Sequence, residues 1–238
     1  MPTPGEVLFA RYAYPPNELG YCGPADPGAL LDVAAGSGAG VRERARAFDG
    51  AWVYLEMIAA ATGLDPLDPR VVQAYWVGNE LLDTVDPAVF AAQVRARFAA
   101  EHGADWAVLD EPGAPVAHHS FQVFTVYPWV GLLGRGDTAL SVLDRCRIRD
   151  GEVLAVQGDE VIVRSRLLTW DGRVLQLGAP EHERARWAQD GQSLLGEVRV
   201  GDLVALHWDW VCDRLTPEQA SALHERTGAQ LDLTNRVR

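Results

Sequence analysis

Lysine is absent from this chain of 238 residues, so all 21 basic side chains are arginine. Schiff-base chemistry, pyridoxal anchoring and the lysine of a phosphate-binding loop are thereby excluded. The side chains that could hold a metal or act on a substrate are three cysteines, Cys22, Cys146 and Cys212, and a few histidines, with His118-His119 adjacent. The cysteines are odd in number, far apart and without a C-x-x-C pair, which is neither a disulfide framework nor a zinc finger. The expectation is free thiols in a reducing cytoplasm. Cys22, in Tyr21-Cys22-Gly23-Pro24, falls in a turn, where a redox or metal role is open to it. Neighbouring residues point about 100° apart on a helix and to opposite faces of a strand, so His118 and His119 form a poor chelating pair, although either can serve alone. An enzyme with a metal-dependent site in the N-terminal half would pair His118 or His119 with Glu56 or Glu80. No triad spacing, H-E-x-x-H, phosphate loop or dinucleotide fingerprint supports it.

The elements that must position these groups differ along the chain. Val41, Ala45, Phe48, Trp52, Leu55 and Ala59 recur at helical spacing, with Gly63 as the stop. Asp68-Pro69 and Asp86-Pro87 each place a capping side chain before a helix-compatible proline. The first leads into Val71, Val72, Tyr75, Trp76 and Leu82; the second into Val89, Phe90, Val94 and Phe98, with Gly103 ending it. Asp26 to Ala35 reads as a shorter helix before the glycine-rich run Gly36 to Gly40. The segment from His118 to Trp129 is ambiguous: its β-branched and aromatic residues suit a strand, its spacing equally a buried helix ended by Pro128. Beyond residue 145 come short strands, with turns at Gly158-Asp159, Asp171-Gly172 and Gly201-Asp202, and a capping box, Thr216 to Gln219, before a last helix over 216–227. The expectation is an α+β chain: a helical domain over 1–140, then over 141–238 a small OB-like β-barrel with a C-terminal helix, closure removing exposed strand edges.

Composition bounds the partners. Hydrophobic residues make up 48% and charged residues 23%, and 33 acidic against 21 basic side chains give a net charge of −12. That charge repels phosphate backbones, so no nucleic-acid partner is expected. No apolar run approaches the roughly 18–20 residues a bilayer requires, and Met1-Pro2-Thr3-Pro4-Gly5-Glu6 has no basic or apolar leader region. A cytoplasmic protein without membrane contact is expected.

Residues 146 to about 226 resemble the HypC/HupF family of [NiFe]-hydrogenase assembly chaperones. Cys146-Arg147-Ile148-Arg149-Asp150-Gly151-Glu152-Val153-Leu154 keeps that family's spacing from cysteine to glycine. Gly158-Asp159, Val200-Gly201-Asp202-Leu203-Val204-Ala205-Leu206-His207 and the cap at Thr216 follow in the same order. In this chain the cysteine is internal, Asp150 replaces a proline, and Asp209-Trp210 replaces Gly-Phe. The resemblance implies a non-enzymatic metallochaperone that holds iron bearing cyanide and carbon monoxide on Cys146 and His207. Its partners would be a HypD-like scaffold protein and the hydrogenase large-subunit precursor. Cys212, five residues after His207, is a weaker candidate ligand, with His118, His119 and Cys22. Thiolate formation at Cys146 would be favoured by metal binding or by the flanking Arg145, Arg147 and Arg149.

Overall fold

Thr3 and Glu6 cap the chain's first helix reciprocally: the Thr3 backbone N–H donates to Glu6 Oε2 at 2.8 Å and the Glu6 N–H to Thr3 Oγ1 at 3.3 Å. The structure, a computed structural model, describes residues 1–34, 37, 39–98, 106–111 and 116–237. The helices of the N-terminal half are α1 (Pro4–Glu18), α2 (Gly28–Ala34), α3 (Val41–Arg46), α4 (Asp49–Thr62), α5 (Pro69–Trp76), α6 (Pro87–Phe98), α7 (His119–Phe121) and α8 (Thr138–Cys146). The strands are β1 (Arg149–Gln157), β2 (Glu160–Trp170), β3 (Leu175–Arg186), β4 (Ala188–Gln189), β5 (Gln192–Ser193), β6 (Leu203–His207) and β7 (Trp210–Arg214), before α9 (Pro217–Val237). The chain is therefore α+β, with helices first, a sheet second and a closing helix. Gly36, Gly38, the Gly103 stop and residues 112–115 lie outside the described residues.

The sequence signals hold at the caps and fail between them. Asp68 accepts from the Arg70 N–H at 2.9 Å, and Asp86 from those of Ala88 and Val89 at 2.8 and 3.0 Å. Gly63 ends α4 in the left-handed region at φ 70°. The expected helix from Val41 to Ala59 is broken at Phe48 (φ −92°, ψ 75°), whose ring turns into the core edge-on to Phe9 at 5.5 Å. Gly23 allows this: at φ 86°, a Cβ there would lie 2.3 Å from that ring. The helix expected from Asp68 through Leu82 stops at Trp76, and Asn79 caps a separate 3-10 turn, Glu80–Thr84. The ambiguous segment is helical: α7 widens into a π-turn, Gln122–Val126, and Tyr127 leaves it with ψ 144° ahead of Pro128.

Five strands pair in the ring β1-β2-β3-β7-β6, a small barrel. The β1–β2, β2–β3, β6–β7 and β1–β6 pairs are antiparallel; one parallel pairing, Arg186 with Trp210, joins β3 to β7. The last helix runs ten residues past its expected end at 227. Leu231 and Leu233 are buried, Gln230 reaches Thr125 at 3.1 Å, and Asn235 bonds both backbone groups of Leu175 at 2.8 and 3.0 Å. Helix α1 bridges to the barrel through Arg11–Asp213 at 2.9 Å and Glu18–Arg186 at 2.7 Å. One buried apolar cluster contains Phe9, Tyr54 and Phe121 from before residue 140 and Val153, Val204 and Trp210 from after it.

Candidate metal centre

Three elements deliver the site. Ala139, Val142, Leu143 and Cys146 line one buried face of α8, so Cys146 ends a helix and does not sit on the strand expected for it. His207 ends β6, and His119 begins α7. Two arginines fix the α8 end against the barrel. Arg149 clasps Glu183 at 3.1 and 3.0 Å and donates to the carbonyls of Asp144 at 3.1 Å and Trp208 at 2.6 Å. Arg147 reaches Asp144 Oδ1 at 2.8 Å. The hairpin after His207 turns through Trp208 at φ 54°, and the Trp208 N–H donates to the Arg145 carbonyl at 2.8 Å.

One ligand atom each of His119, Cys146 and His207 lies within 4.8 Å of the other two, and all three residues are buried. Bonds of about 2.0–2.1 Å to nitrogen and 2.3 Å to sulfur put tetrahedral ligands roughly 3.3–3.7 Å apart. Shifts on the order of an ångström would close the set around one ion. The three residues can hold a metal ion.

The hydrogen bonds prepare the imidazoles for it. His207 Nδ1 is 2.7 Å from the Tyr12 carbonyl, which only accepts, so Nδ1 carries the proton and Nε2 keeps its lone pair. Among the described residues that Nε2 has no hydrogen-bond partner, and it is buried. This is how a metal-binding imidazole is ordinarily oriented, with the far nitrogen fixed by a carbonyl. His119 makes two contacts, Nε2 to the Cys146 carbonyl at 2.8 Å and Nδ1 to the Tyr75 hydroxyl at 3.0 Å, while that hydroxyl donates to the Gly50 carbonyl at 2.8 Å. Three such bonds need three protons, and a neutral imidazole with a phenol has two. The chain Nδ1–H to Tyr75, Tyr75 O–H to Gly50 uses both, which leaves the Nε2 lone pair facing the Cys146 carbonyl; a proton on Nε2 would turn that contact into a hydrogen bond, and a cation on Nε2 would replace it. Burial opposes the proton, pushing His119 down to about 4 and His207 well below the usual imidazole range.

Burial, then the nearby Cys22 sulfur, raises the Cys146 thiol well above its usual range. The expectation that flanking arginines activate it is therefore wrong: Arg147 and Arg149 are engaged by Asp144, Glu183 and backbone carbonyls. An arriving cation would have to displace the thiol proton.

The other sequence candidates separate. Cys22 lines the same cavity as the three ligands but stands outside their mutually close set, and burial pushes its thiol up to about 12. Cys212, on β7, directs its sulfur to the Trp210 carbonyl at 3.7 Å. His118 caps α7, accepting from the Ser120 N–H at 3.1 Å, and burial pushes it down to about 3. Glu56 and Glu80 are exposed while His118 and His119 are buried, so the carboxylate–histidine pairing weighed for the N-terminal half does not form. Sequence reasoning ranked His119 low because its partners arrive from the far half of the chain, which no local spacing reveals.

A family described as being of unknown function (DUF6390) matches residues 1–238. No curated protein and no solved structure matches. The match corrects the reading of residues 146–226 as HypC/HupF: the whole chain, helical half included, falls in one different family. The shared features were those any small barrel needs, glycine–aspartate turns and a capped helix after the last strand. Among the described residues, no helix is long and apolar enough to cross a membrane.

Proposed function

We propose that this chain, which belongs to the DUF6390 family, binds one first-row transition-metal ion through His119, Cys146 and His207. The observation that carries the reading is the convergence of three buried donors from separate elements, with His207 Nε2 left unpaired by its bond to Tyr12. One thiolate and two imidazoles suit zinc, copper, ferrous iron, cobalt or nickel, and disfavour calcium and magnesium, which take oxygen ligands. When bound, the ion supplies Lewis acidity or a redox couple, according to its identity. The chain's own residues orient the imidazoles, through the Tyr12 carbonyl and Tyr75, and keep bulk water away. Iron with cyanide and carbon monoxide, the HypD-like scaffold and the hydrogenase precursor came only with the resemblance, and the site is proposed without them.

Cobalt(II) titration of the purified chain, followed by visible absorption and elemental analysis, tests this. One ion per chain with a sulfur-to-cobalt charge-transfer band is expected. Cys146→Ala should abolish the band and His207→Ala should weaken binding at least tenfold, with far-UV circular dichroism unchanged. Cys212→Ala and His118→Asn should bind as the wild type does. Failure of the wild type to take up cobalt(II) would leave His119 as a cap for the last carbonyl of α8 and nothing more.

A further inference from the structure

A cavity of about 30 Å³ adjoins the three donors. Of its other walls, Ala51 is buried while Cys22, Gly50 and Tyr127 are half-buried, so the solvent side is theirs. We infer that the bound ion keeps one coordination position open toward this cavity and takes there a small monoanion of two or three non-hydrogen atoms. The inference rests on the metal reading above and deepens it.

Three arguments lead to that ligand. Three protein donors leave a tetrahedral ion one position short, the arrangement of sites that act on an exogenous molecule. The free volume accommodates about two water-sized bodies, which suits a ligand of two or three atoms better than a metabolite-sized substrate. None of the lining side chains is a carboxylate or a guanidinium, so charge must balance at the ion itself. A divalent ion with one thiolate carries a net positive charge, and a single negative charge brought by the ligand neutralises it in a buried site where uncompensated charge is costly. Cys22 is the obvious competitor for the position, but it stands outside the mutually close donor set. Its backbone is held by Asn17, whose amide donates to the Cys22 carbonyl at 2.8 Å and to the Pro24 carbonyl at 2.6 Å.

Azide added to the cobalt(II)-loaded full-length protein tests the inference. Saturable change of the ligand-field bands, with the sulfur charge-transfer band retained, is expected. Ala51→Leu, which fills the cavity from the first turn of α4, should weaken azide binding at least tenfold while the azide-free cobalt spectrum stays that of the wild type. A cobalt spectrum indifferent to azide overturns the open position. So does an azide response seen only in Cys22→Ser, which would mean that Cys22 occupies it. An undiminished response in Ala51→Leu places the anion elsewhere and overturns the cavity assignment. Absence of cobalt uptake by the wild type is a different result, which removes the metal site and this inference with it.

Discussion

At the residue scale, Tyr75 separates a metal site from a packed histidine cluster. Its hydroxyl is buried between His119 Nδ1 and the Gly50 carbonyl, and its ring packs edge-on to His119 at 5.5 Å. Tyr75→Phe keeps the ring and removes only the oxygen. Groups that orient a metal-bound histidine typically contribute about 10–100-fold in affinity. Cobalt affinity of Tyr75→Phe should fall within that range with the thermal midpoint little changed; equal affinity would show that the hydroxyl serves packing alone. Cys146 and His207 do meet in space, as the sequence reading expected, although the resemblance that paired them is overturned. His119 was legible only as one of four weaker candidates, because position 119 meets 146 and 207 only after α7 docks on the end of α8. The poor chelating geometry argued for adjacent histidines is realised: His119 enters the cluster and His118 turns away to cap its own helix.

At the element scale, the tie between α8 and the barrel is the Glu183–Arg149 pair, with Arg149 1% and Glu183 16% exposed in their side chains. Burial alone would raise the Glu183 carboxyl, but Arg149, the Ser165 hydroxyl and Arg147 outweigh it and hold it below the usual carboxylate range. A carboxylate lowered on folding stabilises the native state above its unfolded pKa and loses that contribution as pH falls through the folded value. Glu183→Gln should therefore cost on the order of 3 kcal/mol near neutrality, since it strands a buried guanidinium, and should flatten the stability loss below about pH 4.5. Urea midpoints measured across pH 3–7 check both; parallel curves for the two proteins would reject the assignment. Helices with side-chain caps were readable in advance, at Asp68, Asp86 and Thr216, because a cap is a local bond. Helix α8 was not: its stripe of Ala139, Val142, Leu143 and Cys146 straddles the change of pattern near residue 140. Helix α9 was cut short in the reading because its second half is polar on one side and carries Gly228, which tertiary contacts with Thr125 and Leu175 override.

At the scale of the molecule, the barrel is completed by the helical half. Trp210 is fully buried in β7, yet its indole donates to Glu18 of α1 at 3.0 Å, Tyr14 packs edge-on at 5.4 Å, and the Arg186 guanidinium lies 4.5 Å over its ring. His207 is held by the Tyr12 carbonyl of the same helix. Removing residues 1–140 would expose Trp210, Cys212 and His207 together and leave Glu18's partners without their carboxylate. Hydrophobic burial and the paired charges are lost at once, whereas the strand pairings of the ring remain. A fragment of residues 141–238 should thus retain strand signal in far-UV circular dichroism but lack a cooperative thermal transition. Its tryptophan emission should be red-shifted relative to that of the full chain. Adding the 1–140 fragment should restore the blue-shifted emission and cobalt binding together, because the contacts that bury Trp210 come from the helix that also orients His207. A sharp melt of 141–238 alone, with Trp210 already protected, would establish the barrel as an independent domain and confine the interdependence to the metal site.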